Sequence, residues 1–255
     1  MKLVVKVGTS TLAYPTGHIN IRRVENLCKV LADIANAGNE VILVTSGAIG
    51  MGMGKLSLTK HPDDIASKQA AAAVGQCELM YVYDKLFGEY NRTVAQILLT
   101  GDVVHDPESL SNFRATMTRL MEMNVIPIIN ENDSVSNIEI KIGDNDTLSA
   151  IVAQSIGADL LILLSDIDGL FTADPHRDPN AKLISEVREL TAEIRALAEG
   201  AGSSLGTGGM QTKLHAAQIC MESGCDMRIV NGADPSILYR VLDGEAVGTL
   251  FVGGR

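Results

Sequence analysis

With 255 residues, 46% hydrophobic and 20% charged, the chain has ordinary globular usage and enough length to bury a large core. A formal net charge of -10, no tryptophan and only 4% aromatic residues argue against nucleic acid and anionic membranes as partners: an acidic surface repels phosphate and few rings are left to stack on bases. No apolar run approaches the roughly 18 residues of a membrane span, and Lys6 interrupts the start that a secretory leader would need, so a cytoplasmic protein is expected. Cys28, Cys77, Cys220 and Cys225 lack metal-ligand spacing and are expected as small buried hydrophobes in a reducing compartment.

The β-branched run Leu3–Val7 opens the chain and ends in Lys6-Val-Gly-Thr-Ser10. Ile21–Ala37 places Val24, Leu27, Cys28, Leu31, Ile34 and Ala35 on one stripe, which predicts a helix with Asn20 as N-cap and Gly38 as its stop. Val41–Thr45 is a second strand, running into Ser46-Gly-Ala-Ile-Gly50, a strand-to-helix turn whose free N–H groups suit a carboxylate or phosphate. A helix over about Asp64–Tyr90, a strand at Val94–Leu99, a helix over Glu108–Met123 and a strand at Val125–Ile129 follow. Asn130-Glu-Asn-Asp-Ser134 closes that strand. Asn137–Ile142 alternates strictly and predicts a hairpin strand, either a plain edge or a lid.

Gly143-Asp-Asn-Asp-Thr147 opens a helix running to Ile156, with Asp146 or Thr147 as a simple N-cap. A competing reading sets Asp146 beside Lys6 and Lys213, holding two ammonium groups where a phosphoryl group passes. After Gly157-Ala158, Leu160–Leu164 leads into Ser165-Asp-Ile-Asp-Gly169. A helix over Gly208–Ser223 and strands at Met227–Val230 and Thr249–Val252 complete the series. Strands that are mostly apolar on both faces, alternating with helices, predict a three-layer αβα sandwich around a mostly parallel sheet. In such sheets sites form at the carboxyl ends of strands, and four of those ends here are polar or glycine-rich.

Gly206-Thr207-Gly208-Gly209-Met210-Gln211-Thr212-Lys213 is the most informative stretch. Its glycines let backbone N–H groups approach an anion, the helix that follows adds its positive end, and Lys213 supplies a point charge. It lacks the Gly-Lys-Ser/Thr ending of a Walker loop and the third glycine of a dinucleotide fingerprint. The plain alternative is a surface loop in which Thr207 or Thr212 caps a helix. The histidines, at 18, 61, 105, 176 and 215, fall outside every motif.

Lys6-Val-Gly-Thr-Ser10, Val44-Thr-Ser-Gly-Ala48, Ile129-Asn-Glu-Asn-Asp133, Lys141-Ile-Gly-Asp-Asn-Asp146, Gly169-Leu-Phe-Thr-Ala-Asp-Pro175 and the Gly206–Lys213 loop together resemble the glutamate 5-kinases of the amino-acid kinase superfamily. The chain departs from them at Ser165, Ile167 and Asp168, within the loop expected at the nucleotide. The resemblance implies ATP-dependent phosphorylation of the γ-carboxylate of L-glutamate to L-glutamyl 5-phosphate, the first step of proline biosynthesis. It implies Lys6, Lys213 and Asp146 as catalytic residues, and Ser46, Gly47, Ala48, Asp133 and Asn145 as glutamate contacts. ATP is then expected at Lys6, Ser165, Asp166, Gly206, Thr207, Gly208, Gly209, Met210, Gln211, Thr212 and Lys213. Mg²⁺ would travel mainly on the ATP phosphates, with no residue assigned as a metal ligand.

Residues of about 1–157 are expected to bind glutamate and about 158–255 to bind ATP, in a single kinase domain without the PUA domain that many relatives carry. The resemblance also implies a homo-oligomer, with the small residues Ala70–Val74 as a candidate contact or an ordinary packing surface, feedback inhibition by proline, and a functional link to glutamate-5-semialdehyde dehydrogenase. A γ-carboxylate is already ionised at neutral pH and needs no general base, which agrees with motifs that offer lysines instead of a His/Asp relay. Two other readings stand beside this one: a kinase for another small carboxylate, carbamate or phosphate, and a non-catalytic amino-acid sensor.

Overall fold

The apolar runs pair into one sheet. A computed structural model describes residues 1–14, 18–136, 144–175, 177–198 and 209–254. Its strands are β1 (Lys2–Val7), β2 (Glu40–Val44), β3 (Val94–Leu99), β4 (Ile126–Glu131), β5 (Leu160–Ser165), β6 (Glu186–Val187), β7 (Asp226–Asn231) and β8 (Thr249–Phe251). They lie in the order β3-β4-β2-β1-β5-β7-β8-β6, all neighbours parallel except β7 and β8. The first strand therefore sits in the middle, paired with β2 on one side and β5 on the other.

The helices are α1 (Thr9–Leu12), α2 (Ile21–Asn36), α3 (Ala48–Lys55), α4 (Ile65–Gly88), α5 (Gly101–His105), α6 (Pro107–Glu122), α7 (Asn145–Ile156), α8 (Ala192–Leu197), α9 (Met210–Glu222) and α10 (Ile237–Leu242). They cover both faces. Leu3, Val5 and Val7 point into one apolar layer with Leu27 and Leu31 of α2 and Tyr83 and Phe87 of α4. Val4 points into the other, with Met117 of α6, Leu148 and Val152 of α7 and Leu214 of α9. Side chains alternate along a strand, so Lys6 falls on the same face as Val4, under α7 and α9.

That parity also aligns α7. Lys2 Nζ donates to the carbonyl of Ile156 at 2.8 Å, at the carboxyl end of α7, while Lys6 reaches the first turn of the same helix. A cation at each of these places suits its local charge: the terminal carbonyls draw Lys2, and an acidic side chain draws Lys6. The N-cap of α7 is Asp144, not Asp146 or Thr147. Its Oδ1 accepts from the backbone N–H of Asp146 at 2.8 Å and of Thr147 at 2.9 Å, which leaves the Asp146 side chain for other work.

Several expectations need correction. β3 is only partly buried, because it is the edge of the sheet. β4 continues through Asn130 and Glu131, which pair with Leu98 and Leu99, so those polar residues belong to a strand end instead of a loop. Cys28, Cys220 and Cys225 are buried as expected, but Cys77 is exposed on α4. The short elements α1, α5, α8, α10 and β6 are too brief to carry a periodic signal. The proposed hairpin strand Asn137–Ile142 lies outside the described residues.

The small residues of α4 serve the fold. Ala71 and Ala72 are buried, and α4 crosses α3 so closely that a Cβ on Gly75 would stand 1.7 Å from the carbonyl oxygen of Ala48 and 2.3 Å from the nitrogen of Gly52. Gly52 meets Ala71 in the same way. This contact fixes the start of α3, and so the turn that precedes it. Gly75→Ala is expected to destabilise the fold by about 3 kcal/mol or more through overpacking against rigid backbone. The control Gly88→Ala, with nothing within 4 Å of its added methyl, is expected to be neutral or slightly stabilising in the same denaturant titration.

Candidate active site

Asp146, in the first turn of α7, is almost completely buried. Lys6, from β1, places its Nζ 2.6 Å from Asp146 Oδ1 as an ion pair. Lys213, in the first turn of α9, donates to Asp146 Oδ2 at 3.1 Å. The hydroxyl of Thr212 reaches Oδ2 at 3.1 Å as well, and the carbonyl of Gly209 at 2.8 Å. Three elements remote in sequence thus converge on one carboxylate.

Burial alone would raise the Asp146 carboxyl. The charges of Lys6 and Lys213, with their hydrogen bonds, outweigh it and hold the carboxyl below the usual range. The trio carries two positive charges and one negative, a net single positive charge in a site largely closed to water.

Beside it, Asn145 joins the strand ends. Its Nδ2 donates to the carbonyl of Thr45 at 2.7 Å, to Ser46 Oγ at 2.8 Å and to Asn130 Oδ1 at 3.0 Å. Ser46 and Asn145 are therefore adjacent, on the glutamate side of the expected site. Gly47 follows at φ +100, a left-handed turn that glycine adopts without strain, and Ala48 begins α3. Behind this turn, Thr45 Oγ1 and the Tyr83 hydroxyl lie 2.7 Å apart; burial pushes the Tyr83 phenol up, so it stays protonated.

Asp133 occupies the turn after β4 and lines a cleft of about 410 Å³ together with Ala48, Ala72, Gln76, Leu98 and Glu131. It is part of this wall. Ser165, buried at the end of β5, donates to Asp166 Oδ1 at 3.2 Å, and Asp166 is exposed. Gly209 and Met210 begin α9, with Gln211 exposed beside them. Gly206, Thr207 and Gly208 lie outside the described residues. His18, His61, His105 and His215 are exposed.

Some contributors were invisible in the sequence. Asp144 stands within the Gly143–Thr147 motif, but its capping role belongs to the backbone around it. Gln76 sits mid-helix with no local signal, yet its Oε1 accepts from Asn130 Nδ2 at 2.9 Å. Thr212, expected at the nucleotide, turns its hydroxyl toward Asp146.

The architecture and the paired lysines define a class. A family model for the amino acid kinase family matches residues 1–231. Among solved structures, UMP kinase from Bacillus anthracis superposes with a TM-score of 0.68 at 17% identity, covering 100% of this chain and 96% of that one. Isopentenyl phosphate kinase from T. acidophilum gives 0.67 at 16% identity, covering 98% and 99%. At such identities these two likenesses speak for the fold alone.

Curated relatives are far more similar. The glutamate 5-kinase of Clostridium perfringens (strain 13 / Type A) is 52% identical, covering 100% of this chain and 96% of its own. That of Listeria monocytogenes serotype 4a (strain HCC23) is 54% identical over 100% and 94%. That of Enterococcus faecalis (strain ATCC 700802 / V583) is 48% identical over 99% and 95%. The chain belongs to the amino acid kinase family and, within it, to the glutamate 5-kinases.

The ion-pair triad makes a testable demand on stability. A carboxyl held below its unfolded value of about 3.9 contributes stability that is complete above that pH and is lost as pH falls through the depressed folded value. Asp146→Asn, which strands two buried ammonium groups, is expected to cost about 3–5 kcal/mol at neutral pH. The difference from the parent is expected to shrink below about pH 4 in denaturant titrations across the acid range.

Proposed function

We infer that this enzyme transfers the γ-phosphoryl group of ATP to the γ-carboxylate of L-glutamate, giving L-glutamyl 5-phosphate and ADP, the entry step of proline biosynthesis. The observation that carries the reading is the Lys6–Asp146–Lys213 triad at the carboxyl ends of the central strands. A γ-carboxylate is ionised at neutral pH, so one of its oxygens attacks the γ-phosphorus directly while the bond to the bridging oxygen of ADP breaks. The obstacle is two anions meeting. Lys6 and Lys213, aimed by Asp146, offset the charge that gathers in transfer.

The site residues divide by half. In about residues 1–157, Ser46, Gly47 and Ala48 hold one carboxylate at the start of α3. Asp133 pairs with the α-ammonium and Asn145 orients the substrate beside Asp146. In about 158–255, Ser165, Asp166 and the segment from Gly206 to Lys213 hold ATP, with Lys6 reaching it from β1. Both oxygens of Asp146 are occupied by lysines, so Mg²⁺ comes on the ATP phosphates, with outer-sphere help from Asp146 at most.

Proline shares the α-carboxylate and amino nitrogen of glutamate and acts as a competitive inhibitor through Ser46 and Asp133. Self-association falls to the face of α4 turned away from α3, where Ala70, Ala73 and Tyr81 are exposed. The labile acyl phosphate favours direct use by glutamate-5-semialdehyde dehydrogenase, in the cytoplasm. No helix among the described residues is long and apolar enough to cross a membrane.

Incubation with ATP, Mg²⁺ and a panel of acidic amino acids in hydroxylamine is expected to trap a hydroxamate from glutamate; none from glutamate would overturn the reading. In that assay Lys213→Ala and Lys6→Ala are each expected to lower kcat about 10²–10³-fold with smaller changes in ATP affinity, by analogy with loss of one charge-stabilising donor. Asp133→Ala is expected to raise KM for glutamate and leave that for ATP unchanged. Equal rises in both would make Asp133 a structural residue.

A further inference from the structure

A row of carboxamides runs from the open cleft into the substrate side of the site. Gln76 Nε2 donates to Gln96 Oε1 at 3.0 Å, Asn130 Nδ2 donates to Gln76 Oε1 at 2.9 Å, and Asn145 Nδ2 donates to Asn130 Oδ1 at 3.0 Å. Gln76 and Asn130 are buried, with Gln96 exposed at the outer end.

A carboxamide can be turned over at little cost unless its partners forbid it, because its oxygen and nitrogen are nearly the same size. Here backbone groups set the direction. Asn130 Oδ1 also accepts from the backbone N–H of Glu131 at 2.9 Å, and a backbone N–H only donates. Asn145 Nδ2 faces the carbonyl of Thr45, which only accepts. With these ends fixed, Asn130 must turn its nitrogen to Gln76, and Asn145 must turn its nitrogen inward. Among the described residues the Asn145 side chain makes its hydrogen bonds through Nδ2, which leaves Oδ1 on the open side. What Asn145 offers a substrate is therefore an acceptor, matched to an N–H donor and mismatched to a carboxylate.

We propose that Gln76 is a positioning residue for glutamate: by holding Asn130 it keeps the Asn145 carboxamide with nitrogen inward and oxygen toward the substrate. The proposal rests on the reading of Asn145 as a glutamate contact. Gln76 lies on α4, whose close contact with α3 also fixes the Ser46–Ala48 turn, so one helix sets both the amide and the backbone sides of the subsite.

The test is a double-mutant cycle on steady-state kinetics with glutamate and ATP. Gln76→Met keeps the length of the side chain and removes its acceptor, leaving Asn130 Nδ2 without a bond. It is expected to raise KM for glutamate about tenfold, with kcat and KM for ATP within about twofold of the parent. Gln76→Glu retains an oxygen for Asn130 Nδ2 and is expected to restore KM for glutamate to within about threefold. In an Asn145→Ala background the effect of Gln76→Met is expected to shrink to about twofold or less, since the residue acts through Asn145.

If Gln76→Met does not fold, Gln76→Ser, too short to reach Asn130, takes its place in the same cycle. An undiminished Gln76 effect in the Asn145→Ala background, or matching rises in both KM values, would overturn the relay alone. An unchanged KM for glutamate in Asn145→Ala itself would overturn the reading of Asn145 as a substrate contact, and the relay with it.

Discussion

Two ammonium groups cannot share a small buried space without a counter-ion, and Asp146 supplies it for Lys6 and Lys213. In surroundings of low polarity their mutual repulsion would be several times that in water. The carboxylate between them offsets that repulsion and aims both at one point. The arrangement is asymmetric, because one anion for two cations leaves an excess of positive charge, the feature on which the proposed transfer relies. A site fully neutralised by a second carboxylate would lose that excess.

Much of the surrounding architecture places this one carboxylate. α7 is anchored at both ends by lysines of β1: Lys2 at its last carbonyls and Lys6 at its first turn. Asp144 occupies the cap so that Asp146 need not. Asn145, the residue between, ties the same turn to the ends of β2 and β4. The Asp146 carboxylate is thus held by regular elements, whose positions are fixed by packing on both faces of the sheet, and this is the condition for preorganised electrostatics.

The sheet and its covering helices were legible from periodicity, because β1, β2, β4 and β5 are runs of apolar residues that can only be buried on both faces. Lys6, Asp146 and Lys213 were legible because charged residues at strand ends and helix starts stand out against apolar neighbours. What stayed hidden depends on the third dimension. Nothing local distinguishes Asp144 from Asp146 as a cap, since both are acidic and stand at the mouth of the same helix. Gln76 reads as one more polar residue within α4, and its meaning comes only when that helix lies beside Asn130. The small residues at 70–74 were equally fit for a partner or for the chain itself; Ala71 packs on Gly52 of α3, while Ala70 and Ala73 are exposed.

The central place of β1 has a consequence for biosynthesis. β1 finds β2 early and its other neighbour late: Lys2 donates its backbone N–H to Asp159, 157 residues further on, and the pairing with β5 follows from there. Parallel pairings at such sequence separation form slowly, because a long loop must close before any contact rewards it. A nascent chain of this protein therefore carries an apolar strand with one flank unpaired until β5 is made, and Lys213 joins Lys6 at Asp146 only with α9. In that interval β1 is a segment with much to gain from a chaperone.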